Sequence, residues 1–464
     1  MCPIWPLHLI ILYVLALCPL WVLCQAAPEF IATFLPDKLT VHMDQYNFVN
    51  VTVVGYDLQV NDEMWLNTGD ARIAKAQWNS SYKLTDDDIK ENEWKGRARV
   101  DGVFLGRTPL TVEVRRAKQA LPVNGSLPLI ITRPERVIDT VFTTSVALFI
   151  SLIFINFGCA MHWPTIKEVL KKPIGPVICL CGQFIFMPLV SFGLGFLIFP
   201  DNPAMRLGMF FTGVSPGGGA SNIWTFILGG NINLSLAMTS ISKIASFGLM
   251  PAWLFTLGQV VFKNAEIVVP YKHILYFVVC LLVPLGIGLA MQKYTPRVSA
   301  FMVRILKGFS TTLLLFIIVF AIVTNLYIFQ LFTWQIVVAG MGLPWLGYAA
   351  GYLFAVLFRQ PHADALAISI ETGIQNTGIA IFLLRYALEA PEMDLTTVVP
   401  VSCAIMTPIP MTAIFIYQKI KGCVGGMSSS TKTNMKRWMR TSHQSPERSS
   451  PTSSQPLMSE SRQP

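Results

Sequence analysis

The chain has 464 residues, 53% of them hydrophobic and only 13% charged, with a formal net charge of +9. The basic residues are spread over short loops and the C-terminal tail rather than gathered on one face, which excludes a nucleic-acid binder. Apolar runs of about 20 residues, each long enough to cross roughly 30 Å of hydrocarbon, exclude a wholly soluble protein and leave a membrane protein.

In chain order, Leu7 to Leu23 form an apolar core followed by Cys24-Gln25-Ala26. This predicts a signal peptide over 1–26, cleaved after Ala26 or Ala27; with no positive residue ahead of the core, an uncleaved first anchor is the other reading. Residues 27–136 change character. Alternating stretches at Leu39–Met43, Phe48–Val54 and Leu110–Val114 predict half-buried strands and an all-β sandwich outside the cytosol. The stretch Gly102–Val114 reads like the closing strands of an immunoglobulin or fibronectin type III module. No cysteine follows Cys24 in this region, so its hydrophobic core must hold it together without a disulfide. Sequons at Asn50, Asn79 and Asn124 suit glycosylation on a lumenal or extracellular surface.

Residues 137–420 predict nine spans: 138–161, 174–198, 204–229, 232–256, 271–291, 305–328, 333–357, 363–386 and 395–418. With the β-domain outside, the inner loops hold Lys167, Lys171, Lys172, Lys293, Arg297, Arg304, Lys307 and Arg359, as the positive-inside rule requires. The loop with Glu389, Glu392 and Asp394 falls outside. Spans three and eight each contain a polar string that interrupts a helix, Ser215-Pro216-Gly217-Gly218-Gly219-Ala220-Ser221-Asn222 and Glu371-Thr372-Gly373-Ile374-Gln375-Asn376. An offset of five spans makes the two cross in opposite directions, an inverted repeat with two discontinuous helices crossing at one depth. A carboxylate at that depth, Glu371, costs about 2.5 to 3.5 kcal/mol to insert and reads as functional. The pattern predicts an α-helical polytopic secondary transporter.

At four strings the chain resembles the sodium/bile acid cotransporter family, solute carrier family ten, over roughly residues 138–420. They are Gly182-Gln183-Phe184-Ile185-Phe186-Met187-Pro188, Ser215 to Asn222, Asn233-Leu234-Ser235-Leu236-Ala237-Met238-Thr239, and Glu371 to Asn376. The resemblance implies one sodium site from Ser221, Asn222, Ser235, Thr239 and Glu371, and a second from Gln183, Glu371, Gln375 and the carbonyls of Thr372 and Ile374. It implies Asn376 at the crossover, near the substrate, and an organic anion, a bile salt or sulfated steroid, as that substrate. Na+ is a hard cation that takes oxygen ligands, and these residue types supply them. Ser235 and Thr239 share one helix face; the alternative is that each bonds its own i−4 carbonyl. Gln183 either coordinates or makes an interhelical hydrogen bond.

Lys243, one turn past Thr239, departs from the family pattern of a small or hydroxyl residue. It can pair with Glu371, stand in for a sodium ion, or attract the substrate's anionic group. Gly347 and Gly351 form a small-xxx-small pair suited to ordinary helix packing. No cysteine or histidine spacing suggests a metal site, no enzyme signature is present, and no organic cofactor is implied. The tail 421–464, rich in Ser, Thr and Pro, has too little apolar material to fold, and its basic half suits anionic membrane lipid. The expectation is a sodium-coupled organic-anion symporter of the plasma membrane or of an internal secretory compartment. The alternatives are a sodium-independent carrier and a receptor- or adhesion-like protein whose β-domain does the work. The sequence specifies no oligomeric state.

Overall fold

The computed structural model describes residues 30–304 and 331–424, apart from short stretches at 56–57, 61, 80–82, 85–91, 117–118, 122, 135, 162, 266 and 268–269. The expected signal segment, the sixth span and all but the start of the tail lie outside the described residues. The chain forms two units, Met1–Ile409 and Pro410–Pro464; the described part of the second is helical.

The N-terminal strands are β1 (Phe30–Leu35), β2 (Leu39–His42), β3 (Tyr46–Gly55), β4 (Glu63–Thr68), β5 (Ala74–Trp78), β6 (Glu93–Gly102), β7 (Gly106–Arg116), β8 (Gln119–Leu121), β9 (Val123–Asn124) and β10 (Ser126–Thr132). They make two sheets, ordered β5-β6-β3-β1-β9 and β2-β10-β7-β4, with β8 pairing β7. Alternation sets the faces: in β3, Val49, Val51 and Val53 are buried while Asn50 points out. Val112 and Val114 of β7 and Leu127, Leu129 and Ile131 of β10 meet them from the other sheet in a single apolar core. Trp94 is central to that core, edge-on to Trp78 at 4.8 Å, and Trp78 Nε1 donates to the Met64 carbonyl across the sheets at 2.7 Å. The strands expected from alternation are β2, β3 and β7, but β7 does not close the domain. Three more strands follow, and β10 runs parallel to β2 and antiparallel to β7. Asn50, Asn79 and Asn124 are all exposed.

The helices are α1 (Val137–Ala160), α2 (Trp163–Leu170), α3 (Ile174–Ile198), α4 (Pro203–Val214), α5 (Ala220–Leu228), α6 (Ile232–Phe255), α7 (Leu257–Asn264), α8 (Tyr271–Tyr294), α9 (Trp334–Leu357), α10 (His362–Gly373), α11 (Thr377–Ala387), α12 (Glu392–Leu395), α13 (Val398–Met406) and α14 (Pro408–Val424). Among the described residues, five helical stretches are long and apolar enough to cross a membrane, or six with the bent pair α6 and α7 counted as one span. The protein is a multi-pass membrane protein. The two spans expected to be interrupted are split, α4 from α5 and α10 from α11, so each half is too short to cross alone.

Small residues let helix backbones touch where side chains would hold them apart. A Cβ on Gly288 of α8 would lie 2.1 Å from the Ile155 carbonyl oxygen of α1. Gly347 and Gly351 of α9 lie against Gly373 and Ser369 of α10 in the same way, the packing role expected for that pair.

Candidate functional site

The two interrupted strings run antiparallel past each other. Gly217 pairs with Gln375 as an isolated bridge, Gly218 N donates to the Ile374 carbonyl at 2.8 Å, and Asn376 N donates to the Pro216 carbonyl at 2.8 Å. Each string satisfies backbone groups that the other's broken helix leaves free, as irregular backbone at membrane depth requires. At Gly217 a Cβ would stand 2.6 Å from Glu371 Oε1, so any larger residue would have to displace the carboxylate. The backbone at the crossover therefore lies directly against the carboxylate.

Five of the expected residues meet there, all but Asn222 fully or nearly buried. Thr239 Oγ1 on α6 lies 2.9 Å from Glu371 Oε2, 3.3 Å from Asn222 Oδ1, 3.0 Å from the Ser235 carbonyl and 3.5 Å from Ser221 Oγ. Ser235 Oγ donates to Asn222 Oδ1 at 2.8 Å, and Ser221 Oγ donates to the Gly218 carbonyl at 2.8 Å. A hydroxyl has one proton, so Thr239 can satisfy only one of the oxygens around it. Glu371 Oε1 is buried and accepts no hydrogen bond among the described residues. Several oxygens thus compete for the one proton of Thr239, and one carboxylate oxygen of Glu371 has no donor among the described residues. The one proton of Thr239 is within reach of both the Ser235 carbonyl and Glu371 and serves one of them at a time.

The second expected group closes on itself. Gln183 Nε2 donates to the Ser215 carbonyl at 2.7 Å and to Gln375 Oε1 at 2.6 Å, and Gln375 Nε2 donates to the Thr372 carbonyl at 2.8 Å. With the Ile374 carbonyl taken by Gly218, the amides and carbonyls of this group are mutually satisfied. Asn376 caps α11 through Oδ1, which accepts from Ile379 N at 3.2 Å. Lys243 is buried on α6 and makes no ion pair with Glu371; its Nζ lies 4.5 Å from the centre of the Phe157 ring on α1.

Two supporting contacts are absent from the sequence reading. Ser242 Oγ accepts from Gly217 N at 3.2 Å. Inside α3, Gly182–Phe186 form a π-turn, and Pro188 lacks the N–H that would serve the Phe184 carbonyl; Trp253 Nε1 of α6 serves it instead at 2.6 Å. Pro188 is a legible signal for that free carbonyl, whereas nothing in the sequence points to its donor.

Residues 147–331 match the sodium bile acid symporter family. The chain is 32% identical to the rat hepatic sodium/bile acid cotransporter over 272 residues, covering 57% of this chain and 73% of that one. It is 30% identical to the bovine sodium-dependent organic anion transporter, covering 55% and 67%. Against the mouse P3 protein it is 31% identical over 276 residues, 59% of this chain and 58% of that one, so it spans somewhat over half the length of that relative. The chain belongs to the sodium bile acid symporter family, whose members are transporters and not enzymes.

Proposed function

We propose that the protein is a sodium-coupled symporter of an organic anion, bile-salt-like or a sulfated steroid, working by alternating access. The observation that carries this is the ring of oxygens competing for the one proton of Thr239, with one Glu371 oxygen left without a donor among the described residues. A desolvated carboxylate among hydroxyl, amide and carbonyl oxygens has little reason to persist unless a cation completes it. Ser221, Asn222, Ser235, Thr239 and Glu371 are the ligands of one Na+. A second Na+ would use Gln183, Glu371, Gln375 and the carbonyls of Thr372 and Ile374, and it would have to break the amide pairing between Gln183 and Gln375. Asn376 and Lys243 would face the anionic substrate. Each unit of net positive charge moved inward contributes about 2.3 kcal/mol per 100 mV, so two Na+ carried with one monovalent anion are driven inward by the membrane potential.

In this reading α4–α5 and α10–α11 are the broken helices of an inverted repeat, and the β-sandwich is an immunoglobulin- or fibronectin-like ectodomain at the plasma membrane, glycosylated at Asn50, Asn79 and Asn124. The domain limits are those of the sequence: signal peptide 1–26, ectodomain 27–136, transporter 137–420, tail 421–464. The buried ammonium of Lys243 favours one other outcome, a carrier without sodium coupling, since a fixed cation near the crossover does part of a sodium ion's work.

The test is uptake of labelled taurocholate and sulfated steroids by cells displaying the protein, in sodium and in choline medium, beside Glu371→Ala. Sodium-dependent uptake that the substitution abolishes is the expected result. Equal uptake in both media would remove sodium coupling. No uptake of any panel member, with surface display verified, would move the work to the ectodomain.

A further inference from the structure

Alternating access needs one group of helices to move against another, and the packing suggests where the division lies. α1 and α8 are joined backbone to backbone, and α9 and α10 likewise. α11 meets α8 along a seam of rings, Phe277 with Phe382 at 5.6 Å and His273 with Tyr386 at 5.8 Å. Where α11 ends and the sandwich begins lies a group of charges that neither the crossover nor the sandwich core uses. Asp394, in α12, has a side chain only 1% exposed. It stands 3.2 Å from Arg385 of α11 and 3.7 Å from Arg133, the residue that follows β10. Arg133 is also 2.9 Å from Asp139 in the first turn of α1. Arg107 of β7 grips Glu392 of α12 with both ends of its guanidinium, Nη2 to Oε2 at 3.0 Å.

Removing one partner of a buried ion pair is strongly destabilising, so a network that must come apart needs a division that strands no charge. This one has it. Separating α1 with the sandwich from α11 with α12 keeps Arg133 on Asp139 and Arg385 on Asp394, one pair on each side. Of the pairs named here two part: the long one between Arg133 and Asp394, and Arg107 with Glu392, whose arginine is half exposed and whose carboxylate, 11% exposed, is hydrated only as the seam opens. The close approach of α4 to this loop extends the connection to the first broken helix, since a Cβ on Gly208 would meet the Thr396 carbonyl oxygen at 2.0 Å.

We propose that these charges form an outer latch through which the β-sandwich holds the outer seam closed, made in this structure and broken once in each cycle. This rests on the carrier reading above. The sandwich is then a moving part of the transporter rather than an independent receptor.

The experiment uses the full chain at the cell surface with Phe382→Cys in the seam, labelled from outside by a membrane-impermeant maleimide and compared with the same chain lacking that cysteine. Glu392→Gln is expected to speed labelling roughly three- to five-fold, the shift that an ion pair with one exposed partner gives to an open–closed equilibrium. The exchange Arg107→Glu with Glu392→Arg is expected to return the rate toward the parent's, which a variant that merely misfolds would not do. Labelling unchanged by Glu392→Gln and by Asp394→Asn, with normal surface display, overturns the latch. A rise in the Tm of the purified chain on adding sodium, removed by Glu371→Gln, reads the carrier separately; its presence beside unchanged labelling sinks the latch alone.

Discussion

Thr239 has a single hydroxyl proton among several oxygen neighbours, and that arithmetic makes it the most informative side chain of the crossover. Thr239→Val keeps its shape and removes the oxygen, so sodium affinity should fall about ten-fold or more while the fold survives; the sodium dependence of uptake, or of the purified chain's Tm, measures it. Lys243→Thr separates the roles open to that ammonium. If Lys243 serves the substrate's anionic group, the variant raises the KM for the organic anion and leaves the sodium dependence intact; a changed sodium dependence would instead make the lysine part of ion coupling. That the residues of the first cluster meet is anticipated by the family resemblance of the strings that carry them. The position of the Lys243 ammonium over Phe157 is not, since an aromatic ring 86 residues earlier leaves no local trace in the sequence.

Each broken helix depends on the other, because the strings between α4 and α5 and between α10 and α11 exchange backbone hydrogen bonds. The interruptions can be read from Pro216, the glycine triplet and Gln375-Asn376, but the pairing cannot, since only the folded arrangement sets one string against the other. The π-turn in α3 shows the same limit. Pro188 announces a carbonyl without its helical donor, and Trp253, 69 residues away from that carbonyl, supplies the bond. Trp253→Phe keeps an aromatic ring but not the donor, which should cost about 1–3 kcal/mol for the unserved carbonyl. A lower Tm of the purified protein in detergent, with the sodium response retained, is the expected outcome. Gln183 and Gln375 bond each other across the helices here, a pairing over 192 residues that leaves no local trace in the sequence.

At the scale of the whole molecule, the sandwich and the transporter body have separate cores, and the first rests on Trp94, which is 2% exposed. Trp94→Ala should remove about 3–5 kcal/mol from the sandwich, and the loss of surface display and of full glycosylation would report it. Strands β2, β3 and β7 can be seen in advance through alternating burial; β9, two residues long, and the parallel return of β10 beside β2 cannot, because pairing over that distance depends on the closed sandwich. That return has a mechanical consequence. β10 ends at Thr132 and α1 begins at Val137, and the four intervening residues reach at most about 14 Å, too little slack for the sandwich to tumble freely on the first helix. A strand such as β3, ten residues long, gives a lever arm of roughly 33 Å. Tilting α1 by about ten degrees would swing the tip of such an arm by about 6 Å. The sandwich is therefore tied stiffly to α1, and in the proposed transport cycle a fluorophore on its far edge would report each tilt of that helix.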